Sequence, residues 1–322
     1  MTLEAIWGGT DAVGLMDARL IEELRAIAPT KTDEPLGRHT TFGIGGPADA
    51  FVTVSNATEL SRAVLIAREF AAPVFLLGAG SNVLVGDAGI RGVVIDNQAK
   101  AVMNEPNGER DIIVKAESGV SFAALARQMA REGYAGIEWA AGIPGTLGGA
   151  VVYNAGAYGG SLADVLISTT VLNGGNATRT LTNEELDFDY RTSAILRGEL
   201  GACVVLSVEM GLRMGDAAGL TARVAELDQL RLAAQPRGRN SGSTFKNPEG
   251  DYAWRLIDAV GLRGHRIGNA KISEKHCNFI ENLGGATAAD VAGLIGEAQR
   301  RVKEQFGIEL GREVELVGEG FA

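Results

Sequence analysis

Apolar residues recur along the chain at two spacings, every third to fourth position and every second position, and the alternation between the two lays out the elements. Residues 17–28 put Leu20, Ile21, Leu24 and Ile27 on one helical face, which predicts a short amphipathic helix leading into a polar connector that contains Pro35. Residues 50–54 read as a strand, and Asn56 with Glu59 three positions later predicts a capped helix running to about residue 70. Apolar runs at 73–77, 92–96 and 111–116 predict further strands. Ser121 opens and Gly133 closes a helical period over 121–132. Strands are expected at 165–172 and 178–181, joined by the turn Asn173-Gly174-Gly175-Asn176, and again at 204–210.

Residues 217–232 are helical in period and end before Pro236. Further on, 252–260 and 288–306 read as helices, the second opened by Thr287 with Asp290, while 278–281 and 313–317 read as short strands.

Composition narrows the class. In 322 residues, 46% hydrophobic and 22% charged content describes a soluble globular protein of two or three domains and excludes disorder and collagen. Forty acids against thirty bases leave a net charge of −10, so the long-range field repels a polyanion and no nucleic-acid partner is expected. Cys203 and Cys277 make no CxxC pair, and three histidines (His39, His265, His276) assemble no zinc motif, so neither a disulfide framework nor a metal site is expected. The first sixteen residues carry no Lys or Arg, and nowhere do eighteen apolar residues follow one another, so neither a signal peptide nor a membrane partner is expected. A cytoplasmic location fits both readings, and no obligate protein partner is evident.

Glycine, at 44 residues, has about twice its average share and falls into clusters between apolar runs. The first cluster, Gly78-Ala79-Gly80-Ser81-Asn82, starts like a dinucleotide fingerprint but places Val83 where the third glycine belongs. It offers bare main chain plus a hydroxyl and an amide to a phosphate, and is equally readable as an ordinary turn. The second, within 136–160, contains Gly142-Ile143-Pro144-Gly145-Thr146-Leu147-Gly148-Gly149 and Asn154-Ala155-Gly156-Ala157. Backbone approach to a large flat or phosphorylated cofactor explains that density, as do tight helix–strand turns. The third, 237–248, gathers Arg237, Arg239, Lys246, several hydroxyls and two amides in an otherwise acidic chain, which suits a carboxylate or diphosphate and also describes a solvated loop.

Taken in order, these segments resemble the UDP-N-acetylenolpyruvoylglucosamine reductase family, over about residues 38–317. The matching stretches are Thr40-Thr41-Phe42-Gly43-Ile44-Gly45-Gly46-Pro47-Ala48, Leu77 to Asn82, 141–160, Tyr190-Arg191, Gly242-Ser243-Thr244-Phe245-Lys246-Asn247-Pro248 and Glu313-Val314. No Tyr occurs between Tyr190 and Ser243, so the chain resembles the shorter second type of the family, which lacks a substrate-covering tyrosine loop.

The resemblance implies an α+β fold: an N-terminal helix and connector at 1–35, an FAD-binding region at 36–216 of the vanillyl-alcohol oxidase/p-cresol methylhydroxylase type, in two parts of about 36–105 and 106–216, and a C-terminal α/β substrate-binding domain at 217–322. It implies non-covalent FAD as cofactor, NADPH as hydride donor, and UDP-N-acetylglucosamine enolpyruvate as substrate, reduced to UDP-N-acetylmuramate for cell-wall peptidoglycan. Cofactor contacts carry over to Gly78, Ala79, Gly80, Ser81, Asn82, Gly142, Ile143, Pro144, Gly145, Thr146, Gly148, Gly149, Asn154, Gly156 and Ala157. Catalytic roles carry over to Ser243 as proton donor, and to Arg191 and Glu313 beside the enolpyruvyl carboxylate. Tyr190, Arg237, Arg239, Lys246, Asn247 and His276 are implied on the substrate side, with Arg237, Arg239 or Lys246 taking the place of the absent tyrosine at the diphosphate. Residue pattern alone also allows Arg191 as a surface ion-pair partner and Glu313 as the outward position of a half-exposed strand. Two other classes share part of this pattern, an FAD-dependent alcohol oxidase of the same flavin fold and a non-catalytic nucleotide-binding protein.

Overall fold

Asp17 accepts from the Arg19 N–H and caps the helix Ala18–Ile27, whose buried face is Leu20, Ile21 and Leu24. That helix opens the computed structural model, which describes residues 17–109 and 111–321; the first sixteen, on which the absence of a leader was read, lie outside the described residues. Contacts divide the chain into two units. One comprises the residues up to Thr32 with Asp49–Gly78 and Gly92–Gln229, and the other Asp33–Ala48, Ala79–Arg91 and Leu230–Ala322.

The first unit is built on two sheets. A four-stranded sheet has the order Thr30–Pro35, Pro47–Val54, Ile90–Asn97, Val74–Leu77, the last two parallel with Val74 opposite Val93. Helix Ala57–Glu69, capped by Asn56 as its sequence predicts, packs with Ala18–Ile27 over a core that includes Val52, Val54, Leu60, Val64 and Ile95. An antiparallel sheet runs Thr178–Thr182, Leu166–Leu172, Val204–Met214, Asp111–Glu117, Val102–Asn107, with Tyr134–Ala135 also paired to Val204–Met214. Helix Phe122–Glu132, with Ser121 at its N-cap and left-handed Gly133 at its end, covers this sheet. There Phe122 meets Trp139 edge to face at 5.4 Å.

Two strands and one helix differ from the sequence reading. The expected connector contains the strand Thr30–Pro35, and an unexpected strand Val102–Asn107 lies at the other sheet's edge. Both are exposed over most of their length, so neither shows the apolar alternation that marks a strand covered on one face. Glycine likewise disguises the helix Leu147–Tyr153 within 136–160.

In the second unit, helices Ala253–Ala259 and Ala288–Phe306 lie over the three-stranded sheet Arg266–Ile267, Ala270–Ile272, Ile280–Asn282. Leu256, Ile257, Ile272, Val291, Leu294 and Ile295 form its core with Phe42, Ile44 and Leu84, contributed from far earlier in the chain. Asp87 reinforces that union by accepting the Ala288 N–H at 2.9 Å, at the helix start where Thr287 and Asp290 complete a capping box. The continuous domains expected at 36–216 and 217–322 therefore differ from the contact division, which places two earlier segments in the second unit. The helix Ala217–Ala234 begins at the expected boundary and contains the observed one, after Gln229. Nonlocal apolar packing sets this division, and local spacing does not register it.

Among the described residues no helix is long and apolar enough to cross a membrane. Among them, too, no cluster of His, Cys, Asp and Glu could hold a metal ion. Both cysteines are buried thiols, and burial pushes Cys277 up to about 11.

Candidate active site

The Ser243 segment is held from two sides within the second unit. Thr244 accepts the N–H of Glu313 at 2.9 Å and that of Val314 at 3.3 Å, Phe245 bridges Arg312, and the Lys246 N–H donates to the Gly311 carbonyl at 2.8 Å. On the other side stands Asn278, 3% exposed. Its carbonyl takes the Thr244 N–H at 2.8 Å, its Oδ1 the Phe245 N–H at 2.9 Å, and its Nδ2 donates to the Phe245 carbonyl at 2.8 Å. All three bonds come from one buried residue, which the expected strand 278–281 does not single out; the observed strand is Ile280–Asn282.

The same arrangement settles how the C-terminal segment lies. Val83–Val85 pairs in parallel with Glu315–Val317, Glu315 opposite Val83. Just before this pairing, Asn82 Nδ2 donates to the Glu313 carbonyl at 3.1 Å and the Asn82 carbonyl accepts the Glu315 N–H at 3.0 Å. Glu313 lies in a bend, half-buried, and the expected strand 313–317 begins only at Glu315. Thus Ser243, Glu313 and the Ala79–Asn82 loop belong to one hydrogen-bonded piece. Gly80 is required there: its φ is +62°, and a Cβ would stand 2.1 Å from the His39 carbonyl oxygen.

Of the remaining second-unit candidates, Asn247 accepts the Ala253 N–H at its Oδ1, at 3.1 Å, and so helps to start the helix Ala253–Ala259. His276 packs between Trp254 and Phe279, at 6.3 and 4.9 Å between ring centroids, and burial holds its pKa below the usual range, which favours the neutral ring. Arg237 and Arg239 are exposed and Lys246 is half-buried. Ser241 and Thr244, which the sequence reading did not single out, are buried with unpartnered hydroxyls on either side of Ser243.

In the first unit, Arg191 has φ +55° in the tight turn between Asp189 and Thr192. Its guanidinium donates to the Asn154 carbonyl at 3.4 Å and the Gly156 carbonyl at 2.6 Å, and lies 5.5 Å from the centre of the exposed Tyr190 ring. Arg191 is therefore fastened to the second glycine cluster. Asn154 turns its amide inward, donating to Asp189 O at 3.1 Å and accepting the Ala163 N–H at 3.2 Å, so its side chain braces the Arg191 turn.

Packing accounts for some of the glycines. A Cβ at Gly160 would strike the Trp139 ring at 2.4 Å, one at Gly156 the Gly160 carbonyl at 2.7 Å, and one at Gly78 the Thr146 hydroxyl at 2.7 Å. A Cβ at Gly149, by contrast, would have only Thr146 Oγ1 near it, at 3.9 Å. Gly78 against Thr146 also joins the two glycine clusters inside this unit.

Family models match two segments of the chain. Residues 48–181 match the family model of an FAD binding domain, and 234–317 match that of UDP-N-acetylenolpyruvoylglucosamine reductase, C-terminal domain. The chain is similar to the UDP-N-acetylenolpyruvoylglucosamine reductase of Lachnoclostridium phytofermentans, 42% identical over 94% of this chain and 99% of that one. The reductase of Rubrobacter xylanophilus is 44% identical over 92% of this chain and 97% of that one. The crystal structure of UDP-N-acetylenolpyruvylglucosamine reductase (MurB) from Thermus caldophilus is 37% identical with a TM-score of 0.76, covering 90% of this chain and all of that one.

Proposed function

The chain belongs to the UDP-N-acetylenolpyruvoylglucosamine reductase family, oxidoreductases that make UDP-N-acetylmuramate for peptidoglycan, and from that premise we propose which of its residues carry the reaction. The observation behind the reading is the bonding of the Ser243 segment and the Asn82 loop to the two sides of Glu313. The α+β fold, an FAD-binding domain followed by a C-terminal substrate-binding domain, is the family's.

The residues present fit a flavin. Ser81 and Thr146 carry hydroxyls that bond to no other described residue, and Gly149 leaves open room beside Thr146. Residues of the glycine clusters would hold FAD, which would supply two-electron chemistry, hydride transfer from NADPH to the terminal carbon of the enol ether. The chain's own groups stabilise what that addition creates. Negative charge moves into the enolpyruvyl carboxylate, where Arg191 presents a fixed cation and Glu313 a hydrogen-bonding carboxyl, and both interactions strengthen as the charge develops. Ser243 Oγ gives its proton to the adjacent carbon, and nearby cations such as Lys246 make that hydroxyl a better acid.

Arg237, Arg239 or Lys246 takes the place of the absent tyrosine at the UDP diphosphate, while Tyr190, Asn247 and His276 line the substrate side. NADPH as donor, UDP-N-acetylglucosamine enolpyruvate as substrate and a cytoplasmic site of action complete the reading. It is tested by reducing Ser243→Ala protein with NADPH and then adding the enolpyruvyl nucleotide. Flavin reduction at the wild-type rate with product formation slowed at least about a hundredfold supports the assignment, and equal rates in both halves contradict it.

A further inference from the structure

A cavity of about 430 Å³ in the second unit is lined by Gly37, Arg38, Thr40, Thr41, Gly43 and Arg239. Neither Arg38 nor Arg239 donates a side-chain hydrogen bond or forms an ion pair among the described residues. Arg127, Arg197, Arg255, Arg263 and Arg300, by contrast, each face a carboxylate. The acid nearest in sequence, Glu34, faces His39 at 2.9 Å. Two like charges thus line one cavity without a counter-charge, a placement that an anion between them would relieve.

Arg239 is held in place rather than loose in solvent. Its stem crosses the bare backbone of Gly43, where φ is +65° and a Cβ would stand 3.0 Å from Arg239 Cδ and 3.2 Å from a terminal guanidinium nitrogen. The turn under it is also fixed: Thr40 Oγ1 donates to the Ile44 carbonyl at 2.9 Å, and the Thr41 N–H donates to Gly80 O at 3.0 Å. The cavity floor is therefore bonded to the Ala79–Asn82 loop.

We propose that this cavity is a phosphoryl subsite in which Arg38 and Arg239 together hold the diphosphate of a nucleotide used in the reaction. A planar fork on each side suits the paired oxygens of a diphosphate, and an exposed rim lets the group enter from solvent. The inference rests on the family reaction proposed above and adds Arg38, which neither motif nor spacing marks. Three sources share the chemistry: the FAD diphosphate, the UDP diphosphate of the substrate, and that of NADPH.

The test uses holoenzyme with Arg38→Gln, Arg239→Gln and the double variant, since glutamine keeps a stem on Gly43 while removing the charge; the thermal midpoint checks folding. Inorganic pyrophosphate is the probe, titrated calorimetrically and as an inhibitor. The double variant is expected to bind pyrophosphate at least about tenfold more weakly, the size of one lost charge-assisted bond. Loss of flavin on gel filtration then assigns the subsite to FAD, a raised KM for the enolpyruvyl nucleotide alone assigns it to the substrate, and a raised KM for NADPH alone assigns it to the donor. Pyrophosphate affinity, flavin retention and both KM values within about twofold of wild type in a folded double variant overturn the subsite. A wild-type protein that binds pyrophosphate but turns over no enolpyruvyl nucleotide leaves the subsite standing and removes the reaction instead.

Discussion

Asn82 and Glu313 lie 231 positions apart and are joined by a 3.1 Å hydrogen bond from the Asn82 side-chain amide to the Glu313 carbonyl. The return bond, Glu315 N–H to the Asn82 carbonyl at 3.0 Å, makes the joint two-stranded. A loop proposed to hold FAD and a segment proposed to hold the catalytic carboxyl thereby share one backbone frame. Asn82→Ala is expected to lower kcat between about ten- and a hundredfold by letting Glu313 drift, the usual cost of misplacement near 1 Å. Stopped-flow product formation in flavin-loaded variant measures it.

Asn278→Ala leaves the Phe245 N–H and carbonyl without their partners in a buried setting. Two such groups at about 1–3 kcal/mol each predict a loss of roughly 2–6 kcal/mol. Urea unfolding with an unchanged m-value checks it, and a loss under about 0.5 kcal/mol would show that the segment is held by its pairing with 311–313 alone.

Arg191→Lys keeps a charge but not the planar fork that reaches two carbonyls. Turnover is expected to fall about a hundred- to a thousandfold, with flavin reduction by NADPH nearly unchanged, because the proposed role of this cation is to meet charge that develops later. Separate half-reaction rates read this directly.

His276 gives a pH dependence whose sign follows from burial. Its folded pKa lies below its unfolded value near 6.5, so the unfolded chain binds more protons in acid. Stability from burying the neutral ring is fully present above pH 6.5 and declines as pH falls toward the folded pKa. Comparing urea midpoints at neutral pH and at about pH 5.5, wild type should lose more than His276→Gln; an equal loss would assign the effect to other groups.

Much of this was legible in the sequence, and the exceptions are physical. Caps and stops marked the helices, because Asn56, Ser121 and Thr287 each satisfy the N–H groups at a helix start and Gly133 adopts the left-handed conformation that ends one. Motif residues such as Ser243, Arg191 and Glu313 were readable because a known family carries them in order. The partners that hold them were not. Asn278 and Asn154 act through contacts set by the tertiary fold, and an asparagine that braces a turn looks in sequence like one that merely occupies a loop. The second unit escaped for the same reason, since Phe42, Ile44 and Leu84 join its core from segments whose local pattern belongs to the preceding strands.

The proposed reaction carries hydride from NADPH through a flavin to an enolpyruvyl nucleotide. The most direct measurement is an anaerobic one: NADPH is added to the purified, FAD-loaded protein, the flavin band is followed, and UDP-N-acetylglucosamine enolpyruvate is then supplied. Bleaching followed by recovery of the band, with UDP-N-acetylmuramate formed in equal amount, is the predicted result. A flavin that bleaches and regains its colour only when oxygen is admitted would contradict it.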